Sequence, residues 1–202
     1  ASFARQLSYW LNWPLVPPSK LMLLPTHRCP VACAFCSTHR WAEARPRELT
    51  LQELDARLAE AAEWGIREVL FSGGEPLLRR SDVLALTRAA RGRGMIPTLI
   101  TSGAVGGRAT LEALVDAGMA SFMVSIDGDC VDTHDRLRGR RGSFDEAIAW
   151  IAGAVELRRA LDAPSPPFTV YVQTVVTRDN VRELVSLARR IRELGADAIL
   201  FQ

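Results

Sequence analysis

Cys29, Cys33 and Cys36 stand in one short stretch, Cys-Pro-Val-Ala-Cys-Ala-Phe-Cys. Thiolates are the ligands that iron–sulfur clusters take, and a cubane normally uses four. This loop supplies three, and the remaining cysteine, Cys130, lies far away in sequence. A cubane on three thiolates keeps one iron open to a substrate or cofactor. Such a loop is a site for chemistry as well as for electron storage. Two other readings fit the triplet by itself. Three cysteines with His27 or His39 match the Cys3His set of structural zinc sites, and free cysteines also serve as small buried hydrophobes.

Other polar motifs recur down the chain, and each must be positioned by a neighbouring element. Gly73-Gly74-Glu75-Pro76, Thr101-Ser102-Gly103 and Ser125-Ile126-Asp127-Gly128 each close a short apolar run. Strands are predicted over 20–24, 68–72, 96–101, 121–126, 168–176 and 198–201, the fifth rich in β-branched residues. Thr50-Leu-Gln-Glu53 is a capping box for a helix ending near Gly65. Ser81 caps the next helix, which Gly92 or Gly94 stops, and 110–117 forms a third. Ser143-Phe-Asp-Glu146 is a second capping box, for a helix to about Leu161, and Asn180-Val-Arg-Glu183 opens the last, to Leu194.

Strands alternating with helices at this spacing predict a parallel α/β sheet with right-handed crossovers. The runs are apolar on both faces, as buried parallel strands are. Periodicity admits a doubly wound sheet or a barrel, and in both ligands gather at the carboxyl ends of the strands. The cysteine loop follows the first strand, so all four motifs are expected on one rim.

The length of 202 residues suits one domain with a sizeable core. The net charge of +2 argues for neither a nucleic-acid nor an anionic-membrane partner. Asn12, Pro14, Pro17 and Pro18 interrupt any signal-peptide core. No apolar run reaches the ~18–20 residues of a membrane span. Three clustered cysteines do not resemble a secreted disulfide framework. A cytoplasmic protein in a reducing compartment is expected.

Taken together, these motifs resemble the radical S-adenosylmethionine superfamily. The resemblance is carried by Cys29-x3-Cys33-x2-Cys36, with Phe35 before the third cysteine, and by the Gly-Gly-Glu-Pro of 73–76. Ser125-Ile-Asp-Gly128, followed by His134-Asp135-x2-Arg138-Gly139 and Gly142-Ser143-Phe144, is similar to the SPASM/Twitch branch, which includes peptide maturases. The likeness covers residues 20–202. It implies an α/β fold, a partial (β/α)6 barrel with mostly parallel strands. It also implies a [4Fe–4S] cluster on the three cysteines with S-adenosylmethionine on the open iron. The implied reaction is reductive cleavage of S-adenosylmethionine to a 5′-deoxyadenosyl radical, which abstracts hydrogen from a substrate in a dry chamber. A peptide or protein side chain is the expected substrate, with a cofactor precursor or small metabolite as the alternative. A flavodoxin- or ferredoxin-type protein is the expected electron donor. A zinc-stabilised structural or nucleic-acid-binding domain would explain the cysteines but leave Gly-Gly-Glu-Pro unexplained.

By the same resemblance, Phe35 lies beside adenine, and Gly73 and Gly74 let the backbone approach the methionine amine. Glu75 either orients that loop or accepts from the amine. Ser125 and Asp127 fall near the ribose or carboxylate, and Arg138 offers a guanidinium to the carboxylate. Gln173 is the contact from the fifth strand, where Gln173 and Thr174 point to opposite faces. His134 and Asp135 are read as ordering an arginine-rich loop, Cys130 as a packed or half-exposed thiol, and Trp10 and Trp13 as covering the barrel. Residues 1–19 are expected to form an extension packed on the core of residues 20–202. Pro30 departs from the Cys-Asn or Cys-Thr of the branch and removes one backbone donor. No cysteine follows Cys130, so the auxiliary clusters of a SPASM domain are not expected within these residues; a truncated chain lacking its C-terminal domain after Gln202 is the expectation, with a minimal radical enzyme as the alternative.

Overall fold

The computed structural model describes residues 2–12, 18–38, 47–161 and 167–202; His39, Trp13 and the prolines at 14, 17, 164 and 166 lie outside them. The elements run α1 (Ser2–Leu11), β1 (Lys20–Thr26), α2 (Leu51–Glu63), β2 (Glu68–Gly73), a 3-10 turn (Pro76–Arg79) and α3 (Arg80–Gly92). There follow β3 (Ile96–Thr101), α4 (Arg108–Asp116), β4 (Ser121–Ser125), α5 (Val131–Arg138), α6 (Ser143–Ala160), β5 (Thr169–Thr174), α7 (Leu184–Leu194) and β6 (Ala198–Phe201).

The strands lie side by side in chain order, and every adjacent pair is parallel. A doubly wound sheet reverses its strand order at a switch point. Unbroken sequential order is instead that of a barrel wall. Among the described residues β1 and β6 do not pair, so the barrel is open. Its first seam carries a bulge. Leu23 pairs with Phe71 and Thr26 with Gly73, which leaves one extra residue in β1. Pro25 sits there and has no N–H to give the ladder.

Burial alternates along the strands. In β2 and β5, Val69, Phe71, Val170 and Val172 are buried under the helices, while Leu70, Ser72, Tyr171 and Gln173 are only partly covered. The expectation of strands buried equally on both faces is corrected by this period of two. The helical side is close-packed, whereas the inner side surrounds a space. On the helical side Phe122 meets Trp150 and Phe168 edge-on, with ring centroids 5.0 and 5.1 Å apart. Leu54 and Leu58 of α2, Val83 and Leu86 of α3, Ile151 of α6 and Leu187 of α7 complete that core. In α1, Phe3, Tyr9 and Trp10 are exposed.

Three helix starts differ from expectation. The Thr50–Glu53 box forms, but Ser81 lies inside α3, because the Pro76–Arg79 turn runs directly into that helix. Ser143 is the first residue of α6, and its hydroxyl shares its one proton between two acceptors, Asp135 Oδ1 at 2.9 Å and the Arg140 carbonyl at 3.0 Å. The α6 terminus is instead satisfied from outside: Asp135 accepts from Gly142 N at 2.5 Å and Phe144 N at 2.9 Å. Asn180 is likewise no helix cap. It is fully buried, and its Nδ2 donates to the carbonyls of Asp127 (2.9 Å) and Val175 (2.8 Å), tying the ends of β4 and β5 together.

Candidate active site

β1 leads straight into the cysteine loop, and β2 into Gly73-Gly74-Glu75-Pro76, so parallel pairing brings both loops to one rim. They touch through backbone. Gly74 N donates to Thr26 O at 2.9 Å and Glu75 N to Arg28 O at 2.8 Å. A Cβ on Gly74 would stand 2.1 Å from the Arg28 carbonyl oxygen, and Gly73 has φ +122° and a Cβ position 2.5 Å from Thr26 O. Glycine is the residue that permits both the conformation and the approach. Glu75 then locks a third loop in place. It is fully buried and accepts from Leu77 N, Thr101 Oγ1, Ser102 N and Ser102 Oγ at 2.6–3.2 Å. Burial pushes its carboxyl up from the usual carboxylate range, against those hydrogen bonds, which hold it down.

The fourth contributor is α5, a helix where the sequence predicts an arginine-rich loop. It ends in a left-handed Gly139 at φ +63°, the terminator that could have revealed it. Its last carbonyls hold the cysteine loop: Ala32 N donates to Arg138 O at 3.0 Å and Ala34 N to Leu137 O at 2.9 Å. The Arg138 side chain, almost wholly buried, reaches back over the same loop. Nη1 donates to Cys33 Sγ at 3.3 Å, Nη2 pairs with Asp127 Oδ2 at 2.8 Å, and the guanidinium lies 5.9 Å from the Phe35 ring centroid. Asp127 is fully buried, and its other oxygen accepts from Val175 N at 2.8 Å. Burial pushes the Asp127 carboxyl up, and Arg138 and the Val175 amide oppose it. Losing one partner of so buried a pair would cost about 3–5 kcal/mol.

His134 stands behind this pair. Its Nδ1 accepts from Asp127 N at 3.1 Å, so the ring proton is on Nε2, beside the edge-on Phe144. Burial, reinforced by the Arg138 charge, lowers its pKa to about 3. The ring is therefore neutral at any ordinary pH.

These loops enclose a cavity of about 170 Å³ walled by Cys29, Cys33, Cys36, Phe35, Gly73 and Gly74. Ser125, Arg138 and Gln173 also line it, with Ser72 and Ile100 from the inner strand faces and Val175 just beyond β5. Glu75 and Asp127 sit behind the wall, and each is engaged as described. Ser72, Ile100 and Val175 went unnoticed in sequence, although strand alternation assigns Ser72 and Ile100 to the inner face. Cys130 is elsewhere, exposed at the start of α5 with its Sγ 3.6 Å from Thr133 Oγ1. Burial raises the Cys29 pKa to about 11, opposed by the Val31 amide and reinforced by Glu75 and the other two thiols. Burial also pushes Cys33 up, against Arg138. A metal binding here would displace those protons.

The arrangement fits a cluster with an open position: three soft donors share one cavity, the fourth cysteine is outside it, and polar backbone and side-chain groups face the thiols. An open parallel barrel carrying such a site at its carboxyl-end rim is the scaffold of an iron–sulfur enzyme. The chain belongs to the radical SAM superfamily, whose family model matches residues 23–191. Members of that superfamily use a [4Fe–4S] cluster and S-adenosylmethionine. The PqqA peptide cyclase of Rhizobium meliloti (strain 1021) is 34% identical over 181 residues, 88% of this chain and 46% of that protein. That of Gluconobacter oxydans (strain 621H) is 34% identical over 183 residues, 91% of this chain and 48% of that protein. The chain thus spans about half the length of the curated relatives it matches. Among solved structures, Streptococcus suis SuiB shares the fold at a TM-score of 0.74 and 20% identity, over 91% of this chain and 39% of that one. Among the described residues no helix is long and apolar enough to cross a membrane.

Proposed function

We propose that residues 20–202 form the catalytic core of a radical S-adenosylmethionine enzyme of the SPASM/Twitch branch, acting on a peptide or protein side chain, with residues 1–19 as an extension. The observation that carries the reading is the shared cavity of Cys29, Cys33 and Cys36 with the Gly73–Gly74 backbone. The peptide substrate is supported by the PqqA peptide cyclases among its relatives and by SuiB, which has been solved with its precursor peptide SuiA.

In this reading Cys29, Cys33 and Cys36 hold the cluster, and Gly73, Gly74, Phe35, Ser125, Arg138 and Gln173 face S-adenosylmethionine. When bound, these cofactors supply reductive cleavage to a 5′-deoxyadenosyl radical that abstracts hydrogen from substrate. The protein orients and encloses. Glu75 fixes three rim loops from behind, Asp127 holds the Arg138 guanidinium, and Val31, Ile100 and Val175 keep the cavity wall apolar. A flavodoxin- or ferredoxin-type donor would supply the electron, and the free thiols suit a reducing cytoplasm.

The test is electron paramagnetic resonance of anaerobically reconstituted, dithionite-reduced protein, with and without S-adenosylmethionine. A cubane signal that shifts with S-adenosylmethionine, together with 5′-deoxyadenosine formation, is expected. Bound zinc, or a cluster indifferent to S-adenosylmethionine, would overturn the reading.

A further inference from the structure

The three thiols are served unequally by the protein around them. Cys36 Sγ accepts from a neutral backbone amide, Thr38 N, at 3.3 Å. Near Cys29 the neutral Val31 amide opposes the upward push of burial on the thiol. Cys33 Sγ accepts from a cation, Arg138 Nη1, at 3.3 Å. The amides flanking Cys33 do not compete for it, because Ala32 N and Ala34 N are spent on the carbonyls of Arg138 and Leu137. The last turn of α5 therefore takes two neutral donors away from the neighbourhood of Cys33 and substitutes one charged donor.

We propose that Arg138 tunes the reduction potential of the cluster through Cys33, and that Asp127 sets how much of its charge the cluster feels. The inference rests on the cluster reading above and deepens it. One-electron reduction adds negative charge that the thiolate sulfurs share. A cationic donor on one sulfur stabilises the reduced form and raises the potential, whereas a neutral donor does so less. Arg138 is buried, so solvent screens it little, and its position is fixed on three sides by Asp127, Phe35 and the α5 backbone. Asp127 is fully buried on the far side of the guanidinium and offsets part of its charge. The pair makes a positioning device with two opposed handles, and a purely structural pair would not behave in this way.

The experiment is a redox titration of the reconstituted chain, followed by visible absorbance and electron paramagnetic resonance, after iron and sulfide have been counted in each variant. Arg138→Gln, which keeps a planar donor without charge, should shift the potential to more negative values. Asp127→Asn, which keeps the acceptor for the Val175 amide, should shift it to more positive values. Arg138→Lys should fall between Arg138→Gln and the unsubstituted protein. Potentials that do not move, or that move in the same direction in Arg138→Gln and Asp127→Asn, overturn the tuning role while the cluster itself stands. A chain that takes up no cluster before substitution removes both readings. Should Arg138→Gln fail to fold, the sign of the shift in Asp127→Asn decides the matter.

Discussion

The contact between α5 and the cysteine loop can be measured by adding one methyl group. Gly139 and Gly142 both sit in the left-handed region, at φ +63° and +81°. Alanine at Gly142 would meet nothing within 4 Å, so Gly142→Ala should cost only the backbone strain, about 1–2 kcal/mol. Alanine at Gly139 carries the same strain and places its Cβ 2.5 Å from the Ala32 carbonyl oxygen. To relieve that clash, the helix end and the loop must part by close to an ångström. The bonds Ala32 N–Arg138 O and Ala34 N–Leu137 O, now 3.0 and 2.9 Å, would then be lost or stretched. At about 0.5–1.5 kcal/mol each, they add about 1–3 kcal/mol to the strain. A chain of this size loses about 2–4 °C of Tm per kcal/mol. Gly142→Ala should therefore melt about 2–8 °C below the unsubstituted protein, and Gly139→Ala about 4–20 °C below it. Scanning calorimetry of the metal-free chain reads this directly. Iron retention against a chelator, in the reconstituted protein, should fall in Gly139→Ala and hold in Gly142→Ala. Equal losses of Tm in the two variants would refute the claim that α5 clamps the loop.

Further outcomes follow from the buried polar groups. Glu75→Gln turns one acceptor into a donor facing Leu77 N or Ser102 N, so one buried amide loses its partner. Stability measured by urea should drop by about 1–3 kcal/mol, and an unchanged midpoint would argue against the lock. Asp135→Ala removes the carboxylate that accepts from the first turn of α6, costing about 1–2 kcal/mol, with Asp135→Asn losing less. His134, with its pKa lowered to about 3 by burial, is neutral in the native state, whereas an unfolded histidine takes a proton near pH 6.5. Below that pH the unfolded chain binds more protons, so His134 removes stability as pH falls, by about 1.4 kcal/mol per unit. From pH 6.5 to 5 the loss is about 2 kcal/mol, and it should be absent in His134→Gln. Parallel Tm-against-pH lines for the two proteins would exclude this role.

Much of the rim was legible because local patterns set it. Strand ends followed by Gly-Gly-Glu-Pro, Thr-Ser-Gly and Ser-Ile-Asp-Gly had to meet once the sheet was parallel, and they do. The helix boundaries that failed all looked like local caps, and tertiary context overrode each. A 3-10 turn runs into α3 ahead of Ser81, Asp135 satisfies the α6 terminus in place of Ser143, and Asn180 is drawn inward to join β4 and β5. α5 escaped notice because eight residues with so few apolar positions give no stripe, and its stability derives from what it packs against.

The sequence by itself determined the three thiols, the βα alternation and the gathering of polar loops at one end, since spacing and periodicity are local properties. Tertiary structure alone decided that the strands wind in one direction into an open barrel. It also decided that Arg138 turns towards Cys33 and Asp127, and that Glu75 faces Thr101 and Ser102. Those choices depend on contacts between residues far apart in the chain, from 26 positions between Glu75 and Thr101 to 105 between Cys33 and Arg138. In a buried site each polar group must find a partner or bear the cost of desolvation, and only the assembled fold determines which partner is within reach.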